Sequence, residues 1–139
     1  MKKLISILLV ISVVFFISCD KFKFYNKGTL KGTIGIYEGN CMPQSGVPPC
    51  KPKPIATTIA VTTPSEFYQK KKLIAKTVST EDGSYEITLP EGEYSLFLLD
   101  GDEFICEHWK CPEQCYCTPF IIKKDSITIV NANIDHAYW

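Results

Sequence analysis

The chain contains no arginine: all 15 of its basic residues are lysine. The planar guanidinium fork that grips phosphates and carboxylates two bonds at a time is therefore missing, which counts against phosphate-centred functions. Histidine is nearly as scarce, at two residues. No Gly-x-Ser-x-Gly elbow, phosphate loop or His-Glu-x-x-His helix occurs, so the chain is not expected to be an enzyme. Cys-x-x-Cys-His is also absent, which leaves no covalent haem attachment. No apolar run reaches the roughly 20 residues needed to span a bilayer as a helix; the longest, Leu4 to Ile17, stops short.

That short run follows Lys2-Lys3 and ends at Ser18-Cys19, the layout of an export signal. Phe16-Ile17-Ser18-Cys19 resembles the lipobox of bacterial lipoproteins, with Phe standing where Leu is usual. The resemblance implies cleavage after residue 18 and acylation of Cys19. Two or more acyl chains hold a protein stably on a membrane without spanning it. The expected layout is a signal peptide over 1–18, a lipidated tether over 19–27 and one domain over 28–139. From Cys19 to Gly28 the tether reaches about 30 Å at full extension, which keeps the domain close to the membrane.

Loss of residues 1–18 removes Lys2 and Lys3, leaving 13 basic against 15 acidic residues and a net charge of 13 − 15 = −2. No basic field exists to attract nucleic acid. Lys70-Lys71-Lys72 is the one dense basic run and is expected to be a solvated loop.

From Gly28 onward the pattern alternates with period two and is broken by turn residues, with no long run at helical spacing. Strands are predicted through Leu30–Ile36, Ile59–Val61, 73–80, Tyr85–Leu89, Tyr94–Leu98, Phe104, Phe120–Lys123 and Ile127–Ile134. The arms around Pro90-Glu91-Gly92 read as a hairpin, and Asp100-Gly101 as a primed turn. Ile127 and Ile129 fall out of phase with Val130, Ala132 and Ile134, and a bulge near Val130 would reconcile them. Gly83 and Gly92 are expected at positive φ in tight reversals. About seven short strands predict an all-β fold: a single antiparallel Greek-key β-sandwich with disulfide-stapled loops.

Gly32-Thr33-Ile34, Pro54-Ile55 leading to Val61, Thr80-Glu81-Asp82-Gly83-Ser84-Tyr85 and Leu89-Pro90-Glu91-Gly92-Glu93-Tyr94-Ser95-Leu96 resemble the carboxypeptidase regulatory-like, or transthyretin-like, domain. The likeness runs over most of residues 28 to 135 and is most specific from Thr80 to Leu98. It implies a non-catalytic β-sandwich used as an accessory, adhesive or ligand-contacting module. Glu38 to Cys50 and the cysteine-rich stretch after Phe104 depart from the plain domain. Any particular function is expected in those additions.

Six cysteines remain after Cys19: Cys41, Cys50, Cys106, Cys111, Cys115 and Cys117. An even count in an exported small domain favours disulfides. Pairing Cys41 with Cys50 would staple the Pro- and Gly-rich loop between them, worth roughly 2 to 3 kcal/mol by loop entropy. Cys115 and Cys117 point the same way if extended, so each is expected to reach back to Cys106 or Cys111. The rival is a metal site built from Cys106, His108, Cys111, Cys115 and Cys117, since thiolates and imidazole ligate structural zinc. Cysteine separations of five, four and two do not match zinc-knuckle spacing, so disulfides are favoured and no cofactor is expected.

Asp135 and His136 are neighbours on a predicted strand, hence face opposite ways and form no dyad. Asp100, Asp102 and Glu103 read as a charged turn, since a full calcium loop is missing. Tyr138 and Trp139 are expected to pack on the core. A sharper alternative makes His136, Tyr138 and Trp139, the 41–50 loop and the cysteine-rich loop one recognition patch. The chain is thus read as a lipid-anchored, non-catalytic binding or structural module of the bacterial cell envelope, periplasmic or on the outer surface. An envelope protein, a peptide or a glycan is the partner class left open. The alternative is a Cys/His metal-binding protein or an accessory subunit of an envelope enzyme.

Overall fold

Residues 26–139 are described by a computed structural model; the signal segment, Cys19 and most of the tether lie outside the described residues. In chain order the strands are β1 (Lys27–Asn40), β2 (Lys53–Pro54), β3 (Thr58–Thr62), β4 (Leu73–Val78), β5 (Ser84–Pro90) and β6 (Gly92–Asp100). They continue with β7 (Glu103–Ile105), β8 (Trp109–Lys110), β9 (Tyr116–Cys117), β10 (Pro119–Ile122), β11 (Ile127–Ile129) and β12 (Ala132–Tyr138). Lys70–Lys72 form one 3-10 turn with no buried residue.

Two sheets face each other, as an all-β sandwich requires. In the first, β1 is central, with β5 and β2 along one edge and β11 and β12 along the other. The second runs β10-β6-β3-β4, with β7 beside β6. Between them lie Leu30, Ile34, Tyr85 and Ile134 from the first sheet and Ile59, Val61, Leu96, Leu98 and Ile122 from the second. Each fully buried aliphatic side chain contributes roughly 1.5–3 kcal/mol relative to exposure.

The architecture stands while four details of the predicted connectivity change. The sheets are not antiparallel throughout: β1 pairs in parallel with β11 and β12, so the first sheet is mixed. β5 and β6 are not a hairpin, because β5 pairs with β1 and β6 with β3 and β10. Their apolar faces meet the same core from opposite sides, and Pro90-Glu91-Gly92 carries the chain from sheet to sheet. The crossing is held by the Glu91 amide on the Asn26 carbonyl at 2.7 Å and the Tyr94 hydroxyl on the Pro90 carbonyl at 2.8 Å.

No bulge sits at Val130. Thr29 lies opposite Ile127 and Ile34 opposite Ala132, so the register is unchanged across the break and no residue is inserted. Ile127 and Ile129 simply face solvent, at 60% and 67% exposure. The hairpin turn after β6 is centred one residue later than predicted, on Gly101 and Asp102, since Asp100 pairs with Glu103. Only the glycine of that pair has positive φ, which suits a turn with Gly at its first central position.

The turn entering β5 shows how local chemistry sets the fold. Asp82 Oδ1 accepts from the Ser84 amide at 3.0 Å, from the Ser84 hydroxyl at 2.6 Å and from the Thr80 hydroxyl. The Ser84 hydroxyl first, then Thr80, stabilises the carboxylate and pulls its pKa down to about 2. Gly83 completes the reversal at φ 79, where a Cβ would stand 2.3 Å from the Ile34 carbonyl oxygen. Gly39 has a similar φ of 81 but open space around it.

Gly83→Ala is therefore expected to cost about 3 kcal/mol, because backbone strain and a clash with β1 act together. Gly39→Ala should cost about 1 kcal/mol, from strain alone. Urea unfolding of the two variants measures the difference, and equal costs would show that the contact with Ile34 is unimportant.

Candidate recognition clefts

Strand β6 is buried on both faces. Tyr94, Leu96 and Leu98 enter the main core, while Phe97 enters a second cluster with Ala60 and Cys117 on the outer side of the sheet. Two segments cover that outer side. Pro64–Tyr68 is seated by Ser65, whose amide donates to Ser95 Oγ at 3.0 Å and whose carbonyl accepts from the Cys117 amide at 2.9 Å. Residues 106–118 form a clasp over it, closed by Cys106–Cys117 and Cys111–Cys115. Within the clasp β8 and β9 pair, placing Trp109 opposite Cys117. Thr118 then leaves at φ 34, a left-handed conformation unusual for a β-branched residue, with its amide on the His108 carbonyl at 2.9 Å.

These pairings consume all four thiols of the metal alternative, so Cys106, Cys111, Cys115 and Cys117 offer no thiolate and His108 is left with the Glu107 carboxylate 3.9 Å away. Among the described residues no group of three or more His, Cys, Asp or Glu could hold a metal.

The clasp and the Pro64–Tyr68 segment enclose a cleft of about 660 Å³. Tyr68 and Phe104 stack at 4.3 Å between centroids, and Tyr68 meets Phe97 edge-on at 5.9 Å. Trp109 forms a wall at 48% exposure, and its indole N–H donates to the Glu66 carbonyl at 3.1 Å, which fixes the ring. Glu66, Asp102 and Glu103 add three carboxylates to the lining. No sequence motif pointed to this cleft. The signal was present in the unbroken run Leu96-Phe97-Leu98-Leu99, since a strand apolar on both faces must be covered on both.

The other excursion is the 41–50 loop, closed by Cys41–Cys50. Beside it the C-terminal tail is ordered as β12 and does not cover the core: Tyr138 is 72% exposed and Trp139 60%. Its place comes from parallel pairing with β1 out to Asn40 opposite Tyr138, and from the Cys41 amide on the Tyr138 carbonyl at 2.8 Å. Trp139 meets Tyr37 edge-on at 5.6 Å, and its indole N–H donates to Asp135 Oδ2 at 2.8 Å. Trp139 and the loop line a cleft of about 570 Å³.

The single patch considered from the sequence is thus divided. The tail and the 41–50 loop come together, whereas the cysteine-rich stretch lines a different cleft with no shared residue. The clasp touches the last strand at its base, where Asn133 Nδ2 donates to Glu107 Oε1 at 3.0 Å. His136 lies apart from Trp139, with Nε2 2.8 Å from Asp100 Oδ2 in the charged turn.

No protein-family profile matches the chain, and no curated protein does. Among solved structures it is similar to GBS52, the minor pilin of the Gram-positive pathogen Streptococcus agalactiae, at 12% identity and TM-score 0.45, over 80% of this chain and 45% of that one. It is also similar to the Bacillus anthracis TIE protein, at 15% identity and TM-score 0.34, over 76% and 16% of the two chains. A leucine-rich repeat protein from Bacteroides thetaiotaomicron follows at 13% identity and TM-score 0.36, over 80% and 12%. The chain spans less than half the length of each.

The His136–Asp100 pair sets a pH dependence. The hydrogen bond that His136 donates to Asp100, then the charge of that carboxylate, raises the His136 pKa above the ordinary 6.5. A folded-state pKa raised in this way gives a stabilising contribution fully present below about 6.5 and lost as pH rises through the folded pKa. NMR titration should find the His136 midpoint above 6.5, returning toward it in Asp100→Asn; an unchanged midpoint in that variant would remove the pair as cause.

Proposed function

We propose that the chain is a non-catalytic recognition module of the bacterial cell envelope, anchored through acyl chains on Cys19 and built on a carboxypeptidase regulatory-like sandwich. The observation that carries this reading is shared by its two tryptophans. Each stands about half exposed at the lip of a cleft beside a disulfide, with its indole N–H bonded to the protein, Trp109 to Glu66 and Trp139 to Asp135. A tryptophan held rigid yet open offers a large contact area with little rotamer entropy left to lose on binding.

Three disulfides in a chain of this size suit an oxidising, extracytoplasmic setting. Among the described residues no helix is long and apolar enough to cross a membrane. Attachment at Cys19 supplies the location by the lipobox likeness, and the ligand-contact residues are taken to be Trp109 in one cleft and Tyr138 and Trp139 near the other.

Mass spectrometry of the chain purified from bacterial membranes tests the anchor. The expected species begins at Cys19 and carries acyl mass, while Cys19→Ala retains residues 1–18 and carries none. An unmodified Cys19, or a start elsewhere, would overturn the anchor.

The recognition role predicts that Trp109→Ala and Trp139→Ala each change the unfolding free energy by less than about 1 kcal/mol, as surface substitutions do. A loss of about 3 kcal/mol or more, the usual cost of truncating a core tryptophan, would make that residue a packing element instead.

A further inference from the structure

The Trp109 cleft carries more information than exposure alone. Its lining combines aromatic faces with Glu66, Asp102 and Glu103 and contains no basic side chain. Among the described residues none of the three carboxylates forms an ion pair: the pairs present are Lys31–Glu86, Lys53–Glu38, His108–Glu107 and His136–Asp100. Negative charge left unpaired beside aromatic π-faces attracts a cation by two independent terms, direct Coulomb attraction and the ring quadrupole.

The protein already uses the second term at the edge of this cluster. Lys76 Nζ stands 4.9 Å from the Phe104 ring centroid. Lys72 adds a second ammonium, 3.4 Å from the Pro64 carbonyl of the 64–68 segment, and the two set against three carboxylates leave the cleft net negative. Trp109, the best cation–π partner among side chains, is half exposed and oriented by its bond to Glu66. Phe67, at 61% exposure, extends the apolar rim beyond it.

From this combination we infer that the Trp109 cleft binds lysine side chains of a partner peptide or exposed protein segment, with the ammonium between the Trp109 face and the carboxylates of Glu66, Asp102 and Glu103. This rests on the recognition reading above and names its ligand. A glycan could stack on the same indole and donate its hydroxyls to the carboxylates, but being neutral it gains neither the Coulomb nor the cation–π attraction. Charge complementarity therefore selects the cationic peptide.

The test uses the full lipidated chain in nonionic detergent, with Trp139→Phe so that Trp109 alone reports by fluorescence. Acetylated hexalysine amide is expected to give a saturable change in emission, weakened by added salt because the attraction is screened. Hexaglutamate and a tetramer of N-acetylglucosamine should give none. The triple variant Glu66→Gln, Asp102→Asn, Glu103→Gln should bind hexalysine about tenfold more weakly. By calorimetry Trp109→Ala should weaken it to a similar degree, about tenfold.

Neutralising three carboxylates elsewhere, Glu81→Gln, Glu86→Gln and Glu91→Gln, should leave the affinity unchanged. An equal loss in that control would overturn the inference by showing diffuse attraction to an acidic protein. Saturable binding of the sugar tetramer with none of hexalysine would overturn the ligand class and leave the recognition cleft intact. Binding of none of the three probes would overturn the lysine site, while the stability of Trp109→Ala judges the recognition reading separately.

Discussion

The parallel pairing of β1 with the last stretch of the chain is the constraint on which the rest of the structure depends. It joins Thr29 to Ile127 and, further along, Ile36 to Ile134, so the sandwich closes only when nearly the whole described chain has been brought together. Such a contact cannot come from a local turn, and its loop-closure entropy is offset only once both partners bury their apolar faces. The seam is also where the ladder is interrupted, at Val130 and Asn131. Gly32 allows the close approach, since a Cβ there would lie 1.9 Å from the Val130 carbonyl oxygen. That carbonyl accepts the Tyr85 hydroxyl at 2.7 Å, and Asn131 Oδ1 accepts the Thr33 amide at 2.9 Å. Side chains therefore replace the missing ladder bonds, and burial of Tyr85 in this role pushes its pKa upward.

A second consequence follows at β6. Because β1 and its neighbours cover one face of the second sheet, the other face of β6 would leave Phe97 in water without the 64–68 segment and the clasp. Covering it creates a small satellite core around Phe97 and Cys117. The Trp109 cleft is the rim of that satellite core, so its geometry is set by packing as much as by disulfides. A site on a packed support is held more tightly than one on a free loop.

The two-residue alternation of Leu30 to Ile36, Tyr85 to Leu89 and Tyr94 to Leu98 was enough to read the sandwich and its inner faces, and Gly83 was enough to read a turn. What alternation does not contain is the partner of each strand. Pro90-Glu91-Gly92 is equally compatible with a hairpin and with a crossing between sheets, and the choice is made by which core the two arms share. Ile127 and Ile129 misled for a related reason: an apolar residue on a strand is not thereby inward, since much of any protein surface is apolar. That β6 needs a cover on its outer face was legible in its own run, but which residues supply it was not, because Tyr68 lies far before Phe104 in the chain and only the fold brings the two rings together.

The two disulfide-closed excursions differ in what makes them rigid, and that difference bears on what each can bind. Residues 42–49 are exposed throughout, with Cys41 the buried residue of that loop, so its shape depends on the Cys41–Cys50 bridge and on a few local bonds: the Cys41 amide on Tyr138, the Met42 amide on Asn40 Oδ1 and the Val47 amide on the Gln44 carbonyl. A loop of this kind can adjust to a partner but loses conformational entropy when it does. The clasp instead places the Cys117 side chain at 0% exposure against Phe97, so loosening it would open a core. Trp109 is consequently presented by a support that has already been ordered by folding. For the ligand proposed there, little would be left to order, and a modest set of contacts would suffice.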